Sequence, residues 1–350
     1  MKLQLKPLSE QVVVITGASS GIGLTTAEMA AKAGARVILS SRNEGDLLDV
    51  VNRIRANGGY AFHIVGDVAD PDAVDAIADL AIEQFGGIDT WVNNAGVGMY
   101  GKLTETPLAD KRRLFDVDFW GVVHGCRTAV RHMRAGGGAI INVGSVASDR
   151  AFPLLGIYSA AKHAVKGYTD TLRMELEHDG IPISVSLVKP ASINTPFIEH
   201  ARSHMDTEPE YMPPVYAPEE AARAILKCAE HPIRDVLVGG SAKFLSGVGK
   251  MAPRSLDVYM EATAFEQQKH DARNNRLDAL DEPQRDGRRR GPTRRYTMKS
   301  SAYTRMSTSA AGRALPLLAV GALVASLAFG FPRRTIEGRR EEGGTSHGEA

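Results

Sequence analysis

Tyr158 and Lys162 are the residues of this chain whose types and spacing point most directly to chemistry. They lie four residues apart in a segment with helical periodicity, so both side chains project from the same face of one helix. An isolated phenol has a pKa of about 10 and exchanges protons poorly at neutral pH. A neighbouring ammonium group stabilises the phenolate and lowers that pKa, which suits the pair to proton transfer at a substrate oxygen. Ser145, thirteen residues earlier, offers a hydroxyl that can hold the same oxygen.

A glycine-rich turn supplies the second chemical signal. Gly17, Gly21 and Gly23 occur in the run TGASSGIG, between a β-branched segment and a helical one. Backbone N–H groups at a helix N-terminus attract negative charge, and missing side chains let a pyrophosphate approach them. The position after the first strand therefore favours a dinucleotide site over an ordinary turn.

The segments that must position these residues alternate between strand and helix. The predicted strands cover residues 12–15, 36–40, 60–65, 90–93, 139–143, 184–188 and 235–238, and the predicted helices cover 22–33, 44–56, 71–85, 108–134, 156–178 and 218–229. Continuous apolar strands are typical of a parallel sheet that is buried on both faces. The sequence therefore predicts an α/β chain with a doubly wound parallel sheet, a Rossmann fold, and ligands beyond the carboxyl ends of the strands.

Several motifs follow one another in a recognisable order. They are TGASSGIG, Asp67 in VGDVAD, NNAG at residues 93–96, Ser145 in INVGSVAS, YSAAK at 158–162, and KPASINTP around Pro190. Over roughly residues 8–240 the chain resembles the short-chain dehydrogenase/reductase family. The resemblance implies an oxidoreductase that acts on an alcohol or carbonyl compound. It assigns Tyr158 as general acid/base, Lys162 as the residue that tunes it, and Ser145 as the residue that positions the substrate.

The same resemblance implies a set of cofactor contacts. They are expected from Gly17, Ser19, Ser20, Gly21, Ile22, Gly23, Ser41, Arg42, Asp67, Val68, Asn94, Ala95, Gly96, Tyr158, Lys162, Pro190, Ile193 and Thr195. In this family the end of the second strand reads the adenosine ribose, where an acid favours NAD(H). This chain has Ser41 at that place and Arg42 after it, and a guanidinium pairs well with a phosphate. The prediction is NADP(H); a solvated Arg42 and NAD(H) form the alternative.

Asp118 departs from the family pattern. It stands in DVDFWG, where the family usually has an asparagine that acts largely through its main-chain carbonyl. An aspartate keeps that carbonyl but adds a charge near Lys162, so we include Asp118 in the predicted catalytic set. A tolerated replacement and a reduced or absent activity are the two alternatives.

Residues 191–217 form the least regular stretch of the predicted domain and correspond to the family's substrate-covering segment. Its apolar and aromatic residues are Phe197, Met205, Tyr211, Met212 and Tyr216, and Gly98, Met99 and Tyr100 offer another wall. We expect a hydrophobic alcohol or carbonyl substrate, or else simple packing of a lid or an oligomer contact. The sequence does not name the substrate.

The overall composition excludes several classes of protein. The 350 residues carry 42 basic and 41 acidic side chains, so no nucleic acid partner is expected. Cys126 and Cys228 fit a reducing compartment, and the N-terminus has no signal-peptide pattern, so we expect a cytoplasmic catalytic domain. His124, His132 and His163 show no ligand spacing, so no metal is expected. A homo-oligomer is expected only by analogy with the family.

The near-zero net charge hides two unlike parts. Residues 1–250, the predicted catalytic domain, carry a net charge of −4, and residues 251–350 carry +5. Residues 251–313 are predicted to be helical and then an Arg-rich, disordered linker. Residues 314–331 are uncharged and would rise about 27 Å as a helix against a hydrocarbon core of about 30 Å. They are interpreted as a membrane anchor before a polar tail, 332–350, with a soluble packing helix as the alternative.

Two further functions remain open at this stage. Asp118 favours a catalytically weak or inactive dinucleotide-binding regulator tethered at a membrane. The fold also accommodates an epimerase or dehydratase, which would show no net change in cofactor oxidation state.

Overall fold

A seven-stranded parallel sheet forms the centre of the part of the chain that the structure describes. The structure is a computed structural model, and it describes residues 3–273, 278–285, 287–293 and 295–308. Across the sheet the strands are, in order, Asp235–Val238, Ile183–Pro190, Gly138–Val143, Thr90–Asn93, Val12–Thr16, Arg36–Ser41 and Tyr60–Val65, with every neighbouring pair parallel. The order changes direction between Val12–Thr16 and Thr90–Asn93, where a doubly wound sheet opens a crevice for ligands. The predicted fold class is confirmed.

The element bounds follow the predicted alternation closely. The strands are β1 Val12–Thr16, β2 Arg36–Ser41, β3 Tyr60–Val65, β4 Thr90–Asn93, β5 Met99–Tyr100, β6 Gly138–Val143, β7 Ile183–Pro190, β8 Arg202–Ser203, β9 Thr207–Pro209, β10 Val215–Tyr216, β11 Asp235–Val238, β12 Lys269–Arg273 and β13 Thr297–Met298. The helices are α1 Gly21–Lys32, α2 Glu44–Ala56, α3 Pro71–Phe85, α4 Leu108–Phe115, α5 Gly121–Met133, α6 Gly156–His178, α7 Phe197–His200, α8 Pro218–Glu230, α9 Gly240–Met251, α10 Pro253–Gln267 and α11 Ala302–Thr308.

Local sequence signals explain where the helices begin. Asn43 caps α2 by accepting a hydrogen bond from the backbone N–H of Asp46 at 3.0 Å. Asp70 caps α3 by accepting from the N–H of Asp72 at 3.0 Å, and Pro71 occupies the first helical position, where no N–H is needed. These caps fix the starts of two helices that cover opposite faces of the sheet.

The hydrophobic core lies on both faces of the sheet. One cluster joins the sheet to α1, α2 and α8, and includes Ile15, Leu24 and Ile225. The other joins it to α3, α5 and α6, and includes Trp91 and Ile140. The inner strands β1, β4, β6 and β7 are covered on both faces, which explains why they are buried at consecutive positions, whereas the edge strands β3 and β11 are partly exposed.

The predicted single helix over residues 108–134 is interrupted. One π turn, Asp116–Trp120, separates α4 from α5. A π turn adds a residue to one helical turn, so it rotates the face that the following residues present, and such turns are frequent at functional sites. The turn carries Asp118, whose side chain is fully buried.

The described residues after 277 pack against the catalytic domain. Leu280 is fully buried in the cluster of α3, α5 and α6, and β13 pairs in parallel with β10. The backbone N–H of Gly239 donates to Thr304 at 2.9 Å. The sequence predicts a helix and then a disordered linker over 251–313; the structure contains the helix, α10, but the later described residues follow the domain surface.

The predicted membrane anchor, residues 314–331, lies outside the described residues, as does the polar tail 332–350. Within the described ranges, no helix has both the length and the apolar character needed to cross a bilayer.

Candidate active site

The glycine turn after β1 leaves a cradle without side chains. Gly17 and Gly21 have φ of 64° and 55°, in the left-handed region that favours glycine. A Cβ atom at Gly23 would lie only 2.2 Å from the carbonyl oxygen of Gly17. Asn94 fixes the turn by donating from Nδ2 to the carbonyl oxygens of Thr16, at 2.9 Å, and Gly17, at 3.1 Å. The cradle at the start of α1 fits the pyrophosphate of a dinucleotide.

A cavity runs from this turn along the carboxyl ends of the strands. Its lining includes all but one of the predicted cofactor residues: Gly17, Ser19, Ser20, Gly21, Ile22, Ser41, Arg42, Asp67, Val68, Asn94, Ala95, Gly96, Tyr158, Lys162, Pro190, Ile193 and Thr195. Gly23 is the exception, because it packs behind the turn against Gly17.

The predicted catalytic side chains meet at the inner part of the cavity. Ser145, Tyr158 and Lys162 all line it, and the Lys162 ammonium lies 5.5 Å from the centre of the Tyr158 ring. Ser145 follows β6 and begins a short 3₁₀ turn. Its Oγ accepts from the N–H of Ala147 at 3.1 Å, and its N–H donates to Ser148 Oγ at 3.2 Å. This capping pair fixes the backbone that carries the Ser145 hydroxyl.

The pKa of Tyr158 moves opposite to the direction predicted from Lys162 alone. Burial raises the pKa of Tyr158, and its effect outweighs the lowering by the Lys162 charge and by a hydrogen bond with Ser145. The Asp118 charge raises it further. The phenol is therefore held in its protonated form more firmly than in water.

The side chain of Asp118 contacts both Lys162 and the backbone of Val97. Its Oδ2 lies 3.2 Å from Lys162 Nζ, and its Oδ1 accepts from the backbone N–H of Val97 at 2.7 Å. Burial raises the pKa of Asp118, against the lowering by Lys162 and Val97. Burial also disfavours the Lys162 ammonium, but the charges of Asp118 and Tyr158 hold the pKa of Lys162 above its ordinary value. The family's asparagine position thus carries a buried ion pair with the predicted catalytic lysine.

The end of β2 holds the residues expected to read the ribose. Ser41 Oγ accepts from the N–H of Asn43 at 3.2 Å. The Arg42 guanidinium lies 4.0 Å from Asp67 and donates to carbonyl oxygens of residues 279–281. Burial opposes ionisation of Asp67, but hydrogen bonds from Ala69 and Arg113 hold its pKa below its ordinary value.

A sequence model of the family described as short chain dehydrogenase matches residues 11–206, more than half of the chain. This chain is a short-chain dehydrogenase. Relatives that share this family include an uncharacterized oxidoreductase, YxnA, of Bacillus subtilis (strain 168), 45 % identical over 270 residues and covering 76 % of both chains. A 3beta-hydroxysteroid dehydrogenase of Mediterraneibacter gnavus is 37 % identical over 199 residues, which span 57 % of this chain and 71 % of that one.

Solved structures show the same fold. A short chain dehydrogenase/reductase from Burkholderia phymatum, solved in complex with NAD, has a TM-score of 0.66 and 29 % identity; the match covers 72 % of this chain and 97 % of that one. An alcohol dehydrogenase from the archaeon Thermococcus sibiricus, complexed with 5-hydroxy-NADP, has a TM-score of 0.58 and 24 % identity, and covers 65 % of this chain and 95 % of that one.

The apolar wall of this short-chain dehydrogenase includes only some of the predicted substrate residues. Tyr100, Phe197, Tyr211 and Met212 line the cavity, and the rings of Phe197 and Tyr158 lie 5.5 Å apart. The other predicted residues, Gly98, Met99, Met205 and Tyr216, are not part of the lining; Met99 and Tyr216 are buried in the two core clusters. Apolar type in an irregular segment does not distinguish core from cavity.

Several cavity residues escaped the sequence analysis. Phe152 and Leu155 lie on the loop between Ser145 and Tyr158, so their place between two predicted catalytic residues was an available signal. His200 and Gln268 also line the cavity, as do Ala279, Pro283 and Gln284 from the C-terminal segment. His200 lies inside the predicted substrate-covering segment 191–217, so its position was also an available signal, whereas the residues from 268 onwards are separated along the chain from every motif and gave none.

The three histidines named in the sequence analysis contact backbone carbonyl groups or a neighbouring arginine. Nδ1 of His124 lies 3.0 Å from the carbonyl oxygen of Val68, and Nδ1 of His163 lies 2.8 Å from that of Ser159. His132 contacts Arg131. Across the described residues, the structure brings together no group of three potential metal ligands.

Proposed function

We propose that this short-chain dehydrogenase interconverts a hydrophobic alcohol and its ketone or aldehyde with NADP(H). One observation carries the proposal. Ser145, Tyr158 and Lys162 converge in a cavity that also contains the glycine cradle, so a proton donor and an anion-binding turn share one ligand space.

Each residue has a role that follows from its chemistry. The dinucleotide, when bound against the cradle, supplies or accepts the hydride. Ser145 donates a hydrogen bond to the substrate oxygen, and Tyr158 gives that oxygen a proton in reduction or removes it in oxidation. Lys162 stabilises the phenolate that remains. Burial raises the pKa of Tyr158, so the phenol is held in the protonated form that donates to the substrate oxygen in reduction.

The choice of NADP(H) rests on the end of β2. The segment Ser40 to Asn43 contains no carboxylate, and Arg42 offers a guanidinium suited to a 2′-phosphate. Of the two solved structures with the same fold, one was complexed with NAD and the other with 5-hydroxy-NADP, so the comparison favours neither dinucleotide. Fluorescence titration of the parent protein with NADPH and NADH tests this choice, and tighter binding of NADH would overturn it.

The substrate class rests on the apolar wall. Tyr100, Phe152, Leu155 and Phe197 surround the approach to Tyr158 with apolar surface. A rigid apolar alcohol or ketone, such as a steroid or an aromatic compound, matches this wall better than a charged metabolite does. The 3beta-hydroxysteroid dehydrogenase of Mediterraneibacter gnavus, 37 % identical over 199 residues, supports the same class.

Tyr158→Phe tests the catalytic role directly. We expect turnover to fall by about 10²–10⁴-fold, because the phenol proton is lost while the ring is kept. NADPH affinity should stay within about twofold of the parent, since no charge or backbone contact of the cradle changes. Retained turnover in this variant would refute the role assigned to Tyr158.

A second candidate function is favoured by the ion pair between Asp118 and Lys162. The Asp118 carboxylate competes with the Tyr158 phenolate for the Lys162 ammonium, and it raises the pKa of the phenol. A dinucleotide-binding regulator with weak or no activity does not need efficient proton transfer, so it would tolerate this arrangement. We further propose, for either candidate function, that residues 314–331 attach the protein to a membrane, because this run is uncharged. We also propose a homo-oligomer, by analogy with the family.

A further inference from the structure

The described part of residues 278–293 contributes to the wall of the cofactor cavity, and we call residues 278–285 and 287–293 the strap. Ala279, Pro283 and Gln284 of the strap line the cavity. Leu280 anchors it, because this side chain is fully buried in the core cluster of α3, α5 and α6. Arg202 holds the strap from outside through Asp278, at 3.0 Å, and Asp281, at 2.8 Å.

The strap accepts three hydrogen bonds from the guanidinium of Arg42. Arg42 Nη1 donates to the carbonyl oxygens of Leu280, at 3.1 Å, and Asp281, at 2.9 Å, and Arg42 Nη2 donates to the carbonyl oxygen of Ala279. The Arg42 side chain is only 19 % exposed. Three consecutive carbonyl groups of the strap therefore contact the residue that is expected to meet a 2′-phosphate.

The strap also contacts the glycine cradle. The backbone N–H of Gly21, at the start of α1, donates to the carbonyl oxygen of Arg288 at 2.9 Å. Arg288 forms an ion pair with Glu199 at 2.8 Å, and Arg290 forms one with Glu219 at 2.7 Å. The strap is thus fastened to both ends of the anion-binding part of the cavity.

A phosphate and the strap cannot take the same N–H groups of Arg42. Carbonyl oxygens are neutral acceptors, and a phosphate forms stronger, charge-assisted bonds with a guanidinium. The pyrophosphate near Gly21 is common to both dinucleotides, whereas the 2′-phosphate occurs only in NADP(H). We propose that the strap competes with the 2′-phosphate for Arg42, so that NADP(H) releases Arg42 from the strap, whereas NAD(H) competes only for the Gly21 N–H and leaves the Arg42 contacts in place. This inference rests on the proposed use of NADP(H).

Leu280→Ala tests the competition in the full-length protein. The shortened side chain weakens the strap's anchor, so NADPH affinity should rise by about tenfold, while NADH affinity should change by less than about twofold. Leu176→Ala is the matched control, because Leu176 is buried in the same cluster but lies near the far end of α6. It should change the affinities for both dinucleotides equally or not at all.

Asp278→Asn provides a second variant that leaves the core intact. It removes one ion pair with Arg202 and should change the NADPH-to-NADH affinity ratio in the same direction as Leu280→Ala. Asp75→Asn is its matched control, since Asp75 pairs with Arg127 and Arg131 away from the strap. An unchanged ratio in both strap variants would overturn the competition. The parent's own preference for NADH would instead overturn the NADP(H) proposal.

Limited trypsin digestion supplies a readout that does not depend on turnover. The strap carries consecutive arginines at 288–290, about half exposed and engaged in ion pairs. With 2′,5′-ADP bound, cleavage after these arginines should speed up, because the phosphate takes Arg42 from the strap. 5′-AMP, which lacks the 2′-phosphate, should accelerate cleavage less, because its 5′-phosphate can compete only for the Gly21 N–H. Equal cleavage rates with a bound 2′,5′-ADP and with 5′-AMP contradict the proposal.

Discussion

Lys162 Nζ lies 3.2 Å from Asp118 Oδ2, and the two side chains are 5 % and 0 % exposed. This buried ion pair gives the predicted catalytic lysine a counterion other than the Tyr158 phenolate. Asp118 raises the pKa of both Tyr158 and Lys162, which delays ionisation of the phenol as the pH rises. Proton transfer should therefore depend on pH in a way that this one carboxylate controls.

Asp118→Asn should shift the pH dependence of turnover to lower pH. Loss of the negative charge lowers the pKa of Tyr158, so alcohol oxidation, which needs the phenolate, should rise at a lower pH than in the parent. An asparagine Oδ1 still accepts from the Val97 N–H, so turnover should be unchanged or raised. Asp116→Asn, an exposed change in the same π turn, is the control. Kinetics from pH 6 to 10 check this, and an unshifted profile or a large loss of turnover contradicts it.

Ser145→Ala should separate substrate positioning from local structure. The variant loses the hydroxyl that faces the cavity, and turnover should fall by about 10²-fold. Ser148→Ala removes the partner residue of the same capping pair, yet Ser148 does not line the cavity, so its turnover should fall by less than about tenfold. Steady-state kinetics and thermal unfolding of both variants check the difference. Similar losses of turnover in the two would mean that Ser145 acts mainly on the turn.

Asp149 should contribute more to stability than a partly exposed aspartate does. Its fully buried side chain pairs with Lys166 at 2.5 Å and Lys189 at 2.9 Å. Removing one member of such a cluster leaves buried charge unpaired, so Asp149→Asn should lower the free energy of unfolding by about 3–5 kcal/mol at pH 7. Asp75→Asn, at a partly exposed aspartate, should cost about 1 kcal/mol.

The stability contribution of Asp149 has a defined pH dependence. Burial opposes its ionisation, but the hydrogen bonds from Lys166, Lys189 and Ser246 hold the pKa of Asp149 well below its usual range. The stabilisation by Asp149 is therefore fully present above the pKa of an aspartate in the unfolded chain, about 3.9. It is lost as the pH falls towards the pKa that Asp149 has in the folded protein. Urea unfolding should show that the difference in the free energy of unfolding between the parent and Asp149→Asn is smaller at pH 3 than at pH 7. An equal difference at the two pH values would contradict the role given to Asp149.

The membrane prediction concerns residues outside the described ranges and is tested in the full chain. Leu323 lies in the uncharged run 314–331. Leu323→Arg places a charge in a span of that length, at a cost of about 3 kcal/mol, and should move the protein from the membrane fraction towards the soluble one. Leu323→Ala keeps the run apolar and should stay with the membranes. A parent protein found wholly in the soluble fraction would refute the anchor.

The sequence was sufficient for the parts of the fold that rest on repeated patterns. The strands stood out as apolar runs, and the glycine turn and the Tyr158–Lys162 spacing gave a site that the structure brings into one cavity. The π turn at Asp116–Trp120 was missed, because a single added residue barely alters the periodicity of a long helix. The sequence therefore predicted a charge at Asp118 near Lys162 but not the π turn that carries it.

The strap shows a different limit of sequence reasoning. Its segment is polar and lacks periodicity, which is typical of disorder. It nevertheless packs through one buried side chain, Leu280, and through backbone carbonyl groups that meet Arg42. Backbone acceptors are the same for every residue type, so no pattern of side chains could have revealed them.

The most direct test of the central claim is the oxidation of NADPH by the purified parent protein across a panel of apolar carbonyl compounds, with the product identified. The account predicts that NADPH is consumed in a one-to-one ratio with an alcohol product, and that Tyr158→Phe abolishes this consumption while still binding NADPH. A folded, NADPH-binding parent that turns over no carbonyl would contradict it and favour the regulator. Product formed without net oxidation of the cofactor would contradict it as well, and would indicate an epimerase or a dehydratase.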